Sequence, residues 1–281
     1  LNADLLKDGG TLEVSRNSKS QFFEFGIAEQ DMVSFASGVA ARGLIPWIHS
    51  FSCFLSTRAQ EQIFNFCSEK RKGIFVGSLS GPIPSGPGHS HQMIRDLAII
   101  GSMPFMLFFE PITPKMIKEF PKFQEKINQP IFLRLANCQV SLDEYENVSI
   151  PNISEMVEII PIDEFTEKVI IIQGAVIFNE IIEVLSKIKS KKNIAILCAV
   201  WLNKISLEQI SKMSKKQIFI YETTVDTGDF ASQIATLALC QGIEFKSFKR
   251  YFIKDLPFCG TNEEVLKKHE LDKDSILRNI L

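Results

Sequence analysis

The stretch FFEFGIAEQDMVSFASGVAARGLIPWIHS, residues 22–50, decides the fold. The aromatic run QFFEF, residues 21–25, has the composition of a strand. Residues 28–43 then change period. Met32, Val33, Phe35, Ala36, Val39 and Ala40 recur as the apolar face of a helix, and Gly43 supplies a C-terminal cap. LIPWIHS, residues 44–50, returns to strand composition. Strand, helix and strand in that order predict a parallel βαβ unit. Glu29 falls just after the first strand, at the helix start. An open α/β sheet binds its ligands at that end of its strands.

The alternation continues outward. A helix is predicted over about 57–70, a strand over 73–78, and a helix over 93–101. A strand over 105–110, a helix over 114–127 and a strand over 130–136 complete the series. PIPSGPGHS, residues 82–90, holds too much Pro and Gly to be anything but a loop. The alternation weakens over 137–160, which reads as a linker, and restarts with KVIIIQG. The expectation is an α/β protein of two doubly wound domains, residues 1–136 and 161–281. The first has a mainly parallel sheet, and the second is smaller.

Charge excludes some functions. With 31 basic and 33 acidic residues and a pI near 6.2, no nucleic-acid groove or anionic-membrane surface is indicated. No apolar run approaches the roughly 18–20 residues that span a bilayer. The six cysteines, Cys53, Cys67, Cys138, Cys198, Cys240 and Cys259, have no CxxC spacing. They read as core thiols of a cytoplasmic protein. The chain opens on LNADLL, like the end of a strand, which suggests sequence preceding Leu1.

Three features fall at strand ends: GIAEQ (26–30), HSFSCF (49–54) and GPIPSGPGHSHQ (81–92). Each alone has an ordinary explanation. Glu29 is a first-turn carboxylate favoured by the helix dipole. Phe51 and Phe54 are core aromatics. His89 and His91 lack the further ligands a zinc site needs, so a polar contact to substrate or partner suits them better, and no metal site is expected in this chain. Their coincidence at one edge points to a ligand site.

These motifs resemble those of the transketolase family. GIAEQ with its amphipathic helix, the G-L-x-P strand, F-x-x-F and R-A-x-E-Q-I are similar to the family's pyrimidine-binding domain. GHSHQ resembles its G-P-T-H-Q loop, and ADL at 3–5 an upstream segment. VIIIQGAVIFNEIIEVL, ETTVDTGDF and the closing FCGTNEEVLKKHEL resemble its C-terminal domain. The likeness covers nearly the whole chain. It implies thiamine diphosphate as cofactor. The glutamate matching Glu29 hydrogen-bonds N1′ of the aminopyrimidine, and the aromatics matching Phe51 and Phe54 pack on the pyrimidine face. Burial favours a carboxyl's protonated form, so it can share a proton with the ring nitrogen and promote loss of the cofactor's C2 proton. His91 is implied as a catalytic residue, and His89, His91 and Arg134 as substrate contacts.

The family's diphosphate half, G-D-G followed by Asn, has no counterpart here. The resemblance therefore implies a small subunit of a split transketolase. Its N-terminal partner chain would hold the diphosphate with Mg²⁺ or Ca²⁺ in an α2β2 assembly. The subunit would serve transfer of a two-carbon ketol unit from a ketose or ketose phosphate to an aldose. Several positions depart from the family pattern. Pro87 replaces an acidic residue, His89 a proline and Ser90 a threonine. Asn137 replaces a second arginine, and Thr223 follows Glu222 where a histidine is usual. These changes leave cofactor activation intact and put the ordinary sugar-phosphate donor in doubt. Two alternatives stay open: an E1 β subunit of a 2-oxo acid dehydrogenase, and a non-catalytic scaffold subunit.

Overall fold

The computed structural model describes residues 1–138, 145–188 and 193–280. Its first half runs α1 (Leu12–Asn17), α2 (Glu29–Ala41), β1 (Trp47–Phe51), α3 (Ser52–Arg58), α4 (Gln60–Ser68), β2 (Ile74–Ser78), α5 (Asp96–Ile100), β3 (Leu107–Phe109), α6 (Pro114–Phe123) and β4 (Ile131–Leu135). The second half runs β5 (Val157–Ile160), β6 (Lys168–Gln173), α7 (Gly174–Lys187), β7 (Ile194–Ala199), α8 (Leu207–Lys212), β8 (Gln217–Tyr221), α9 (Phe230–Cys240), β9 (Ser247–Tyr251), α10 (Asn262–Lys268) and α11 (Lys273–Ile280).

The strands form two sheets, ordered β1-β2-β4-β3 and β5-β7-β6-β8-β9. All pairings are parallel except β5 with β7. This is the α/β, mainly parallel architecture that the alternation predicts. β7 is buried along its whole length, as befits a strand covered on both faces, while β5 and β9 are half-exposed edges. The segment 137–160, expected as a linker, contains β5; its residues 139–144 lie outside the described ones.

Several elements differ from expectation for physical reasons. Residues 21–25 are not a strand. Their backbone pairs only through Asn2, whose N–H donates to Phe23 O and whose carbonyl accepts from Phe25 N–H. The aromatics instead pack on α2, with the Phe23 and Phe25 rings 5.5 and 5.2 Å from that of Phe35. The helix expected over 57–70 starts earlier, directly at the end of β1, and breaks into α3 and α4 at Ala59. The helix expected from residue 93 begins only at Asp96. Cys53, Cys67 and Cys198 are core thiols, but Cys240 and Cys259 are exposed, at the end of α9 and in the loop before α10.

The sheets are joined at an edge. Glu110 N–H donates to Val200 O and Leu202 N–H to Phe108 O, each at 2.8 Å, so residues 200–202 extend the first sheet beyond β3. Trp201 packs there against Phe109, ring centroids 4.6 Å apart. Both large apolar cores contain residues of both sheets.

Arg134 sits at this junction with no exposed surface. Its Nε donates to Asp96 Oδ2 at 2.8 Å, and its Nη1 to Glu110 Oε2 at 2.7 Å and Thr223 Oγ1 at 3.0 Å. Burial raises the Glu110 pKa, and the guanidinium opposes that rise. Gly174 lines the same space with φ +70°, and a Cβ there would lie 1.9 Å from Glu110 Oε1. Only glycine supplies both the conformation and the room.

Arg134→Leu would leave two buried carboxyls without their cation. We predict a loss of about 3–5 kcal/mol of unfolding free energy, read from the urea midpoint. An unchanged midpoint would show that Asp96 and Glu110 do not depend on this guanidinium.

Candidate active site

Gly26, at φ +67°, turns the chain out of the aromatic run and into α2. Glu29 is the first residue of that helix and is 3% exposed. A carboxylate here meets the unpaired N–H groups of the first turn, which suits a negative charge. Its Oε1 accepts from Arg58 Nη1 at 2.8 Å and from Ser50 Oγ at 3.4 Å. No hydrogen bond from a described residue reaches its Oε2.

Phe51 ends β1 and Phe54 lies in the first turn of α3. The strand-to-helix turn brings their rings to 5.8 Å. Arg58, one helical turn after Phe54, lays its guanidinium carbon 3.9 Å from the Phe54 ring centroid. Such contacts stabilise a cation over an aromatic face. One guanidinium therefore touches both Phe54 and Glu29. Gln30 Nε2 donates to Arg58 O at 3.0 Å and ties the start of α2 to the end of α3.

The loop at 82–92 adds His91 to this group. Its ring lies edge-on, 5.3 Å from Phe54 and 6.1 Å from Phe51. Ser90 Oγ is 3.0 Å from His91 Nδ1. His89 is exposed and makes none of these ring contacts. Of the residues singled out in the sequence, Glu29, Phe51, Phe54 and His91 come together, and His89 stays outside. Arg134, expected at the substrate, is enclosed at the sheet junction with its guanidinium engaged by Asp96, Glu110 and Thr223. Its bonds hold the sheet junction. Two of these partners are carboxyls of the first half of the chain, and the third comes from the second half. Thr223 is a small hydroxyl that reaches the guanidinium.

Sequence reasoning missed Arg58, although R-A-x-E-Q-I contains it. Its position four residues after Phe54 was the available signal, because i and i+4 side chains meet on a helix. A separate polar cluster surrounds His49 in the middle of β1. His49 Nδ1 is 2.7 Å from Asn2 Oδ1, and its Nε2 is 2.8 Å from Ser78 Oγ. Burial lowers the His49 pKa, so the ring is neutral at pH 7. In the second half, Glu222 Oε1 accepts from the Phe230 and Ala231 N–H groups at the start of α9. Burial raises its pKa to about 7. Among the described residues, no group of three or more His, Cys, Asp or Glu could hold a metal ion, and no helix is long and apolar enough to cross a membrane.

Comparison with known proteins bears on the family and the fold. Residues 1–140 match the family described as transketolase, pyrimidine binding domain. Over 283 residues the chain is 27% identical to a putative transketolase C-terminal section of Methanocaldococcus jannaschii, covering 100% of this chain and 88% of that one. Over 285 residues it is 26% identical to a 1-deoxy-D-xylulose-5-phosphate synthase of Natranaerobius thermophilus. That match covers 98% of this chain but only 44% of the synthase, so the chain spans less than half of that relative's length. A structure described as a split gene transketolase, inactive beta4 tetramer, superposes with a TM-score of 0.84 at 21% identity, covering 99% of this chain and 89% of that one. The transketolase of Campylobacter jejuni superposes with a TM-score of 0.77 at 15% identity, covering 99% of this chain and 42% of that one. At such identities these two likenesses speak for the fold. Through its pyrimidine-binding domain at residues 1–140, the chain belongs to the transketolase family, and its layout is that of the family's C-terminal half.

Proposed function

We propose that this chain is the pyrimidine-binding subunit of a split, transketolase-like transferase that uses thiamine diphosphate. Residues 1–136 would form the cofactor-facing domain and residues 161–281 the second domain. The observation that carries the reading is the convergence of Glu29, Phe51, Phe54 and His91, drawn from the start of α2, the β1–α3 turn and the loop at 82–92.

The residues fit the aminopyrimidine half of the cofactor. Glu29 is a buried carboxylate with one oxygen unengaged by any described residue, suited to hold a proton at a ring nitrogen. Phe51 and Phe54 offer an apolar wall for a flat ring. Bound there, the cofactor would supply the carbanion chemistry needed to move a two-carbon unit. Arg58 covers both Glu29 and Phe54, so it must turn aside or share Glu29 when a ring arrives. His91 borders the same wall and would contact the sugar. For the diphosphate half, the described residues offer no metal-binding group. A partner chain would supply that half, with Mg²⁺ or Ca²⁺, in an α2β2 complex. The related split-gene β4 assembly, described as inactive, supports a need for that partner.

Three measurements test this reading. By calorimetry with Mg²⁺, thiamine diphosphate should bind the chain weakly alone and tightly after the partner is added. Tight binding by the chain alone would contradict the shared site.

Glu29→Gln keeps the shape of the side chain but cannot share a proton in the same way. Hydrogen–deuterium exchange at the cofactor's C2, followed by NMR in the assembled enzyme, should slow by about 10²–10⁴-fold without change in the thermal midpoint. Wild-type exchange in this variant would remove Glu29 from its role.

The third concerns the donor. Asn137 stands where a phosphate-binding arginine is common in the family, and Arg134 is enclosed. A charged hydrogen bond to phosphate contributes about 1.5–3 kcal/mol against about 1 for a neutral one. We expect kcat/KM for xylulose 5-phosphate to fall below that of ordinary transketolases by about tenfold, with a modified or differently charged sugar preferred. Equal efficiency would overturn the altered-donor reading. A preference for 2-oxo acids in the same panel would overturn ketol transfer itself.

A further inference from the structure

The loop that carries His91 is held from the far end of the chain. Asn262 Oδ1 accepts from Ser85 N–H at 3.0 Å and from Ser85 Oγ at 2.9 Å, across 177 residues of sequence. Ser85 has no exposed surface. Two further ties lie alongside. Gln92 Nε2 donates to Pro82 O at 2.7 Å and to Phe258 O at 3.4 Å, and Cys259 Sγ donates to Gly86 O at 2.8 Å.

From Ser85 the path to His91 is continuous. Ser85 O accepts from Gly88 N–H at 3.1 Å, and Gly88 O accepts from His91 N–H at 3.0 Å. Gly88, at φ +77°, makes the turn between them. A side chain at that position would be strained. His91 then reaches Phe54 and Phe51. The other end of the tie is equally fixed. Asn262 opens α10, whose start is locked by reciprocal hydrogen bonds between Thr261 and Glu264. That capping box holds the helix end in one conformation.

We infer that Asn262 is a positioning residue for His91, and that the second domain thereby sets the geometry of the loop facing the substrate. Without such a tie, Gly86 and Gly88 would leave the segment before His91 free to sample other positions. Loop placement errors of about 1 Å can cost a hundredfold in rate, so an acceptor that fixes one loop residue at two points controls a sensitive coordinate. This extends the proposed function, because the consequence for turnover holds only if His91 faces the sugar.

The test is histidine NMR on the full chain, which has four histidines. Asn262→Ala should move the His91 ring signals away from positions set by the Phe51 and Phe54 ring currents. His49, buried in β1 away from α10, should not move. Asn262→Asp keeps an acceptor oxygen and should restore the wild-type His91 signals. Unmoved His91 signals in Asn262→Ala would overturn the inference, as would equal movement of all four histidines, which marks general loosening. Should Asn262→Ala fail to fold, Ser85→Ala removes the hydroxyl tie alone. It should shift His91 in the same direction, and the absence of any shift would again overturn the inference. In the assembled enzyme, Asn262→Ala should lower donor kcat/KM about tenfold or more while cofactor affinity stays constant. Shifted His91 signals with unchanged kcat/KM would uphold the positioning and overturn the substrate role of His91.

Discussion

Arg134 carries its charge where no water reaches it, and much of the molecule is arranged around that fact. A buried guanidinium has to be surrounded by acceptors, because desolvating it unpaired costs several kcal/mol. Three elements bring them. Asp96 comes from the start of α5, Glu110 from the end of β3, and Thr223 from the end of β8. The two carboxyls belong to the first half of the chain, and the hydroxyl to the second. Gln173, at the end of β6, completes the set. It accepts from Thr223 N–H at 3.1 Å and lies 3.5 Å from Glu110. Such a network is a poor source of net stability, but it penalises every arrangement in which one member is missing. It therefore specifies how the sheets meet more than how strongly they hold.

The junction also reaches the candidate site. Asp96 Oδ2 accepts from Ser52 Oγ at 3.0 Å, and Ser52 is the first residue of α3, between Phe51 and Phe54. The aromatic turn is thus anchored to the same carboxylate that pairs with Arg134. On the other side, residues 258–262 hold the loop bearing His91. Glu29, by contrast, is placed locally, by the turn at Gly26 and the start of α2. The site combines one locally determined carboxylate with an aromatic wall and a histidine whose positions depend on distant segments.

That division explains what could be read from the sequence. Glu29, α2 and β1 follow from local period and composition, and all three are present. The strand expected at 21–25 is absent because its alternation finds only Asn2 as a backbone partner. β5 escaped notice because VEII is short and its order comes from antiparallel pairing with the fully buried β7. Arg134 is expected at the substrate because it matches a basic position of the family pattern. Its enclosure involves Thr223, 89 residues later. Between His89 and His91 the sequence offered no choice, since the path of the loop is fixed by Asn262 and Phe258. Arg58 stood within a recognised motif, yet its contact becomes evident only once α3 begins at Ser52.

The central claim is that Glu29 and the aromatic pair form the pyrimidine half of a shared cofactor site. The most direct measurement is a crystal structure of the chain assembled with its partner and thiamine diphosphate. The account predicts that a Glu29 carboxylate oxygen lies about 2.7–3.2 Å from the ring nitrogen N1′. Phe54 would face the ring, and the Arg58 guanidinium would be displaced from that face. A pyrimidine bound elsewhere, with Arg58 still covering both Glu29 and Phe54, would contradict it.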